Sequence, residues 1–390
     1  MSKIRVKKNM EEKICAIALN RIFGFNPVSG VALISNFGSA AAVFGASEEQ
    51  LQDLLRGRPD QASAILTEDL DRDRDEYEKL VDGGLDFIPI TDEDYPSLLK
   101  ECNDPPVGLY YRSGSPPEKV FESRPAVAIV GTRNMTPYGK YWCTEIVRAL
   151  SAAAKKPVIV SGMAYGTDFT AHSAAIGCEL PTIGVLPTGI DDVYPLRHEP
   201  LARLMDETDG CALVTDYPPK TNPLAINFIR RNRIIAGLSS AVILTESKIK
   251  GGGMLTMRFA SDYFRDVFAL PGRVDDVCSQ GCNLLIRNKL AEPITDLEDL
   301  VSKLGLGFNT RSKASFREAV EIKCASLDRQ KAAGVLSTAM AIKAERGVSL
   351  NELTERTGFS FAEVASFTAL LETWGFISID LLQRCSVNSI

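Results

Sequence analysis

No stretch of the 390-residue sequence approaches the roughly 18 or more uninterrupted apolar residues that a membrane-crossing helix requires. The opening Met1-Ser-Lys-Ile-Arg-Val-Lys-Lys leads into no apolar signal segment, so a cytoplasmic protein with no membrane association is expected. Histidine is scarce: His172 and His198 are the only two, which leaves few places for the commonest general acid-base side chain. The nine cysteines are odd in number and scattered singly through apolar segments, the pattern of reduced thiols. Cys278 and Cys282, the one close pair, lack Cys-x-x-Cys spacing and have no second Cys/His pair beside them, so neither a metal nor another cofactor is expected. Positive charge is also in deficit, with a net charge of −6 and a pI near 5.3. That balance excludes a protein that coats nucleic acid through bulk charge.

Cations are nevertheless concentrated in one place. Between Ala225 and Asp275 the chain carries a net charge of +4, supplied by Arg230, Arg231, Arg233, Lys248, Lys250, Arg258, Arg265 and Arg273. Any nucleic-acid site is therefore local.

The chain divides by pattern. Residues 1–70 read as a small helical module of the SAM or helix-hairpin-helix kind, with short helices separated by Gly24, Pro27, Gly30, Gly38 and Gly45 and with Ser47 as an N-cap. The acidic stretch from Glu68 to Asp94 reads as a solvated helix face and loop, and Asp92 to Val107 as an irregular approach to the main domain. From Ala126 onward, short β-branched runs alternate with helical stretches: Val127-Ala-Ile-Val, Val158-Ile-Val-Ser, Thr182-Ile-Gly-Val-Leu, Ala212-Leu-Val-Thr, Ala241-Val-Ile-Leu-Thr and Val267-Phe-Ala-Leu. Continuous apolar strands of this kind belong to a parallel sheet covered on both faces. The expected fold is α/β, a Rossmann-like doubly wound, mostly parallel sheet over residues 71–300, with ligand sites at the carboxyl ends of its strands. Residues 301–330 read as a linker. Residues 331–390 read as a winged-helix module, three helices and a hairpin, the middle helix opening on a Ser349/Glu352 capping box.

Three turns and one helix carry the chemistry. Gly131-Thr132-Arg133 follows the first strand, where backbone N–H groups meet an anion and Arg133 adds a charge; a tight turn with a surface arginine is the plainer reading. Ser161-Gly162 opens a second turn, Ser-Gly-Met-Ala-Tyr-Gly-Thr-Asp, in which Asp168 suits a helix cap as well as a ligand contact. His172, one turn later, reads as a structural helix histidine. Arg230, Arg231, Asn232 and Arg233 precede an apolar helical run, and the planar fork of arginine suits bidentate phosphate contact; a solvated helix face is the alternative. Lys250, Gly251, Gly252 and Gly253, with Thr256 beyond them, follow the fifth strand, where three glycines admit close approach of a phosphate to a helix N-terminus. One such turn serves a mononucleotide, whereas several along one sheet edge suit a polymer backbone.

These blocks resemble the DNA processing protein A family, in order: Val127-Ala-Ile-Val-Gly-Thr-Arg, Ser161-Gly-Met-Ala-Tyr-Gly-Thr-Asp, Arg231-Asn-Arg-Ile-Ile-Ala-Gly-Leu-Ser, and Phe268-Ala-Leu-Pro-Gly with Gly281-Cys-Asn-Leu-Leu-Ile. The resemblance implies a protein that binds single-stranded DNA without catalysis, protects incoming DNA in natural transformation, and helps load a RecA-type recombinase. It also implies a homodimer built through the Rossmann-like domain. By position it assigns DNA contact to Gly131, Thr132, Arg133, Ser161, Gly162, Arg231, Asn232, Arg233 and Lys250 to Gly252. Phe228 and Tyr165 are the aromatic candidates for base stacking.

The sequence departs from the family at three places. Gly251-Gly-Gly stands where a serine-glycine-serine turn is usual, Pro187 and Thr188 stand where a glycine is usual, and Ser360 to Trp374 contains no lysine or arginine. A recognition helix without cations fits duplex phosphates poorly, which favours a protein-contact or stabilising role. The rival reading is a phosphoribohydrolase-like nucleotide-processing enzyme, disfavoured because no carboxylate follows the glycine loop until Asp262. A nucleotide sensor is the third reading, and no Gly-x-Gly-x-x-Gly opens the first helix to support it.

Overall fold

A computed structural model describes residues 2–24, 26–121, 124–307, 316–325, 327–345, 347–380 and 383–387. The chain forms two compact units, Met1–Phe308 and Asn309–Ile390.

The first unit begins with six helices: α1 Ser2–Phe23, α2 Pro27–Phe37, α3 Ala40–Phe44, α4 Glu48–Leu54, α5 Pro59–Leu66 and α6 Asp71–Asp82. Residues 14 to 19 of α1 are buried on every side, which makes it the hub of the group. Ser47 caps α4 in a capping box with Gln50, as its position suggests. These helices do not form a core of their own. Their apolar residues pack in one cluster with β1 Asp86–Pro89 and β2 Gly108–Arg112, and Lys13 of α1 pairs with Asp86 at 2.7 Å. The one-turn helices α7 Ser97–Lys100 and α8 Pro117–Val120 complete the approach. Asp92 to Val107 is irregular apart from α7, as expected, but the strands on either side of it, β1 in the stretch read as helix face and loop and β2 just beyond, extend the sheet by antiparallel pairing.

The rest alternates strand and helix: β3 Ala126–Val130, α9 Pro137–Ser151, β4 Val158–Ser161, α10 Thr167–Gly177, β5 Thr182–Val185, α11 Glu199–Glu207, β6 Ala212–Thr215, α12 Ala225–Gly237, β7 Ala241–Leu244, α13 Gly252–Asp262, β8 Asp266–Ala269, α14 Gln280–Arg287, β9 Glu292–Pro293 and α15 Leu297–Lys303. The order across the sheet is β1-β2-β6-β5-β4-β3-β7-β8-β9, and every pair from β6 to β9 is parallel. The expected doubly wound, mostly parallel α/β sheet is therefore present. Alternation divides its two faces: Ala126, Ala128 and Val130 of β3 enter one core, Val127 and Ile129 the other. After β3 the chain winds outward through β4, β5 and β6, then returns across the sheet to β7. The topological switch point thus lies between β3 and β7, and the crevice beyond their carboxyl ends is where such sheets bind ligands. Among the described residues no helix is long and apolar enough to cross a membrane.

The second unit contains α16 Phe316–Cys324, α17 Arg329–Ala344, α18 Leu350–Thr357 and α19 Phe361–Thr373, with a sheet of β10 Val348–Ser349, β12 Arg384–Val387 and β11 Ile377–Ile379 in that order. Helix α16 falls inside the stretch read as a linker and contributes Val320 and Cys324 to this unit's core. The Ser349/Glu352 capping box opens α18.

Candidate nucleic-acid interface

The turn after β3 is built by close backbone approach. A Cβ on Gly131 would lie 2.8 Å from Thr245 Oγ1 and 2.9 Å from the Glu246 carbonyl, so only glycine lets the ends of β3 and β7 meet there. Gly166 has φ +73°, and its missing side chain makes room for the Thr132 and Arg133 carbonyls. Thr167 N–H donates to Thr132 O at 3.1 Å, which ties the second turn to the first. At the start of α9, Thr136 Oγ1 accepts from Gly139 N–H at 3.1 Å. The fully buried Glu246 carboxylate accepts from Thr136 N–H at 2.9 Å and from the Thr136 hydroxyl. Glu246, which no sequence motif singled out, therefore holds the first turn from the end of β7.

The glycine loop completes the crevice. Gly251 is the N-cap of α13, and Gly253 lies so close to the first turn that a Cβ there would be 3.3 Å from Gly131 Cα. Lys248 and Lys250 are exposed on this loop. The turns after β3, β4 and β7 and one side of α12 enclose a cleft of about 630 Å³ at the switch point. Gly131, Thr132, Arg133, Arg231, Asn232, Gly251, Gly252, Gly253 and Thr256 all line it, together with Asp168, Tyr194, Phe228, Ser247 and Lys248. Arg133 lies over the Phe228 ring at 4.8 Å, a cation–π contact across the cleft wall.

Five residues expected at the site do not line this cleft. Ser161 is fully buried and donates its hydroxyl to the Ile129 carbonyl at 2.7 Å, so it braces β4 against β3. Gly162 is also buried, and its carbonyl accepts from Arg231. Arg230 and Lys250 are not among the lining residues. Arg233 is 6% exposed and faces the other way, pairing with Asp216 at 2.5 Å and donating to the Asp104 carbonyl. The arginine cluster is thus not a set of parallel clamps. Arg231 itself is 3% exposed; its Nη1 donates to the carbonyls of Gly162 and Val185 at the ends of β4 and β5, while its Nε has no partner among the described residues. It forms the cleft floor, and burial lowers its pKa to about 10.

Asp168 shares that floor. Its Oδ2 accepts from Ala164 N–H at 3.2 Å, and α10 has no side-chain cap, so it braces the turn and does not cap the helix. Burial pushes its carboxyl above the ordinary range, against the opposing pull of Arg231. His172 is buried with Nδ1 2.7 Å from Thr182 Oγ1, and desolvation holds its pKa down to about 3, so it is a neutral structural histidine. Among the described residues no group of three or more His, Cys, Asp or Glu side chains is placed to hold a metal.

A doubly wound sheet with glycine turns converging at its switch point on a crevice lined by Arg133, Arg231 and Lys248 defines a Rossmann-like protein. The chain belongs to the DNA recombination-mediator protein A family, whose profile matches residues 86–305. It is 33% identical over 292 residues to protein Smf of Escherichia coli strain K12, covering 75% of each chain. It is 40% identical over 219 residues to protein Smf of a Synechocystis strain, covering 56% of this chain and 54% of that one, so the match spans about half of that relative's length. Among solved structures, DNA processing protein A from Streptococcus pneumoniae superposes with a TM-score of 0.65 at 28% identity, covering 76% of this chain and 99% of that one. DNA processing protein A from Helicobacter pylori, which has a single-stranded DNA binding mode, gives 0.51 at 28% identity, covering 58% and 97%.

Proposed function

We propose that the cleft binds the sugar-phosphate backbone of single-stranded DNA, and that the protein acts by binding and not by catalysis. The observation that carries this reading is the convergence of three backbone turns with exposed Arg133 and Lys248 on one crevice at the β3/β7 switch point. Family membership and the single-stranded DNA binding mode of the Helicobacter pylori protein support it. In this reading the chain works in the cytoplasm as a homodimer through its Rossmann-like domain, protects incoming strands in natural transformation, and helps load a RecA-type recombinase. The deciding experiment is fluorescence anisotropy with a labelled oligonucleotide, single-stranded and duplex, at two stated salt concentrations. Tighter binding to the single strand that weakens with salt supports the proposal. Equal or absent binding overturns it.

One observation favours a second reading. The sequence argument against hydrolysis counted carboxylates after the glycine loop, yet Asp168 lines the cleft itself. Its N–H···O bond and proximity to Arg231 give it a positioning role, but a carboxylate beside a phosphate-suited loop is also what cleavage of a nucleotide's glycosidic bond employs. Incubation with nucleoside monophosphates decides between them, since released base would mark an enzyme.

A further inference from the structure

Beside the cleft lies a cluster of aromatic side chains that includes Tyr165, a stacking candidate from the sequence, and that is not among the cleft's lining residues. Tyr165 and Phe169 are 44% and 39% exposed, and both rings rest on the buried His198, at centroid distances of 4.9 and 4.7 Å. His198 is fixed, because its Nδ1–H donates to the Met163 carbonyl at 2.8 Å. The backbone that carries Tyr165 is equally constrained: Met163 has φ +57°, Gly166 has φ +73°, and Gly166 packs against the Thr132 and Arg133 carbonyls of the first phosphate-facing turn. Next to His198 in the chain stand Leu196, 76% exposed, and the exposed Arg197. The ledge is continuous with the cleft, since Ala164, adjacent to Tyr165, and Tyr194, two residues before Leu196, both line it.

We infer that this ledge carries the strand onward from the cleft, with bases stacked on Tyr165 and Phe169 and a phosphate near Arg197. The inference rests on the reading of the cleft as a strand-binding site. Three features favour nucleic acid over a protein partner here. The exposed rings are already packed on His198 before any ligand arrives, which lowers the ordering cost of stacking. Aromatic faces accept any base, and a neighbouring arginine supplies the charge that the backbone requires. The surface also begins where the phosphate-suited turns end, so one strand reaches both.

The test is an affinity series with oligothymidylates from about 4 to about 16 nucleotides, comparing wild type with the Tyr165→Ala/Phe169→Ala double variant. In wild type, affinity rises with length beyond the shortest oligonucleotide that binds. The double variant keeps the affinity for that shortest oligonucleotide and loses about fivefold or more of the gain on longer ones. Tyr165→Phe, which keeps the ring, restores that gain in a Phe169 background, and Arg197→Ala lowers the salt slope by about one for long oligonucleotides alone. An equal loss at every length, or no loss at any length in a variant with wild-type thermal midpoint, overturns the inference. If wild type binds no oligonucleotide, the cleft reading itself fails, and the two failures are distinguishable.

Discussion

Gly162 has no side chain where the guanidinium of Arg231 lies. A Cβ there would stand 2.6 Å from Arg231 Cζ, and the glycine's carbonyl is one of the two that Arg231 Nη1 serves. Neither group can move easily, because the guanidinium is buried between the ends of β4 and β5. Gly162→Ala should therefore destabilise the fold by about 1–3 kcal/mol through overpacking, read as a lower urea midpoint at unchanged slope. Arg231→Ala should cost at least as much, because the Gly162 and Val185 carbonyls each lose a donor, at about 1–3 kcal/mol per unsatisfied group. An Arg231→Ala protein of wild-type stability would show that the floor does not depend on this side chain.

Arg133 is the exposed counterpart of that buried arginine. It lies on the first turn, in the cleft, over Phe228. Arg133→Ala should weaken binding to single strands of any sequence and reduce the salt slope by about one, with stability changed by no more than about 0.5 kcal/mol. Titrations at several salt concentrations check this. A sequence-dependent loss, or an unchanged slope, would remove Arg133 from the backbone contacts.

The contrast between these arginines shows what the sequence made legible. The β-branched runs gave the parallel strands because both faces of each are apolar, and the glycine turns marked strand ends because the turns pack backbone to backbone. The fate of the arginines follows from the helical period. Residues 231 and 233 stand about 200° apart on a helix, so they cannot serve one phosphate groove, and one of them must face the approach segment. Its partners there, Asp216 17 residues earlier and Asp104 129 residues earlier, are announced by no local pattern. The same holds for Glu246, whose role depends on Thr136 lying 110 residues earlier. Strands β1 and β2 escaped notice because each sits among acids, prolines and glycine.

Arg233 should accordingly behave as a stabilising residue. Removing it as Arg233→Ala leaves the buried Asp216 carboxylate without its cation, and the expected cost is about 3–5 kcal/mol in chemical denaturation. The Arg233→Met/Asp216→Leu double variant should recover much of the loss, since it buries neither charge. In the double variant the salt slope for single-stranded DNA should match wild type. A reduced slope there would return Arg233 to the strand-contacting set.

The Asp168 carboxyl makes stability depend on pH in a predictable direction. Burial raises its pKa in the folded protein above the ordinary carboxyl value that it has when unfolded. The folded state then holds more protons than the unfolded state between those two values, so the contribution of this group to stability is greatest below the ordinary value and declines as pH rises through the raised one. Asp168→Asn cannot titrate. The stability of wild type relative to this variant should therefore fall as pH rises across that window and level off above it, measured by urea midpoints at matched ionic strength. An opposite trend would mean that the Arg231 charge outweighs burial at this site.

The C-terminal unit provides the last expectation. Helix α19, Phe361–Thr373, contains no lysine or arginine, and its N-terminus is occupied by the Ser360/Glu363 capping box, so its first turn presents a carboxylate where a phosphate would otherwise approach. Backbone contact with a duplex needs cations at that position. The cleft, in contrast, lies wholly within the Met1–Phe308 unit. A chain ending at residue 308 should keep single-stranded DNA affinity within about twofold of the full chain, at the same salt slope, because no phosphate contact is lost. The isolated 309–390 segment should bind neither single strand nor duplex in a salt-dependent way. Duplex binding by that segment would place a second nucleic-acid site in it, on a surface other than α19.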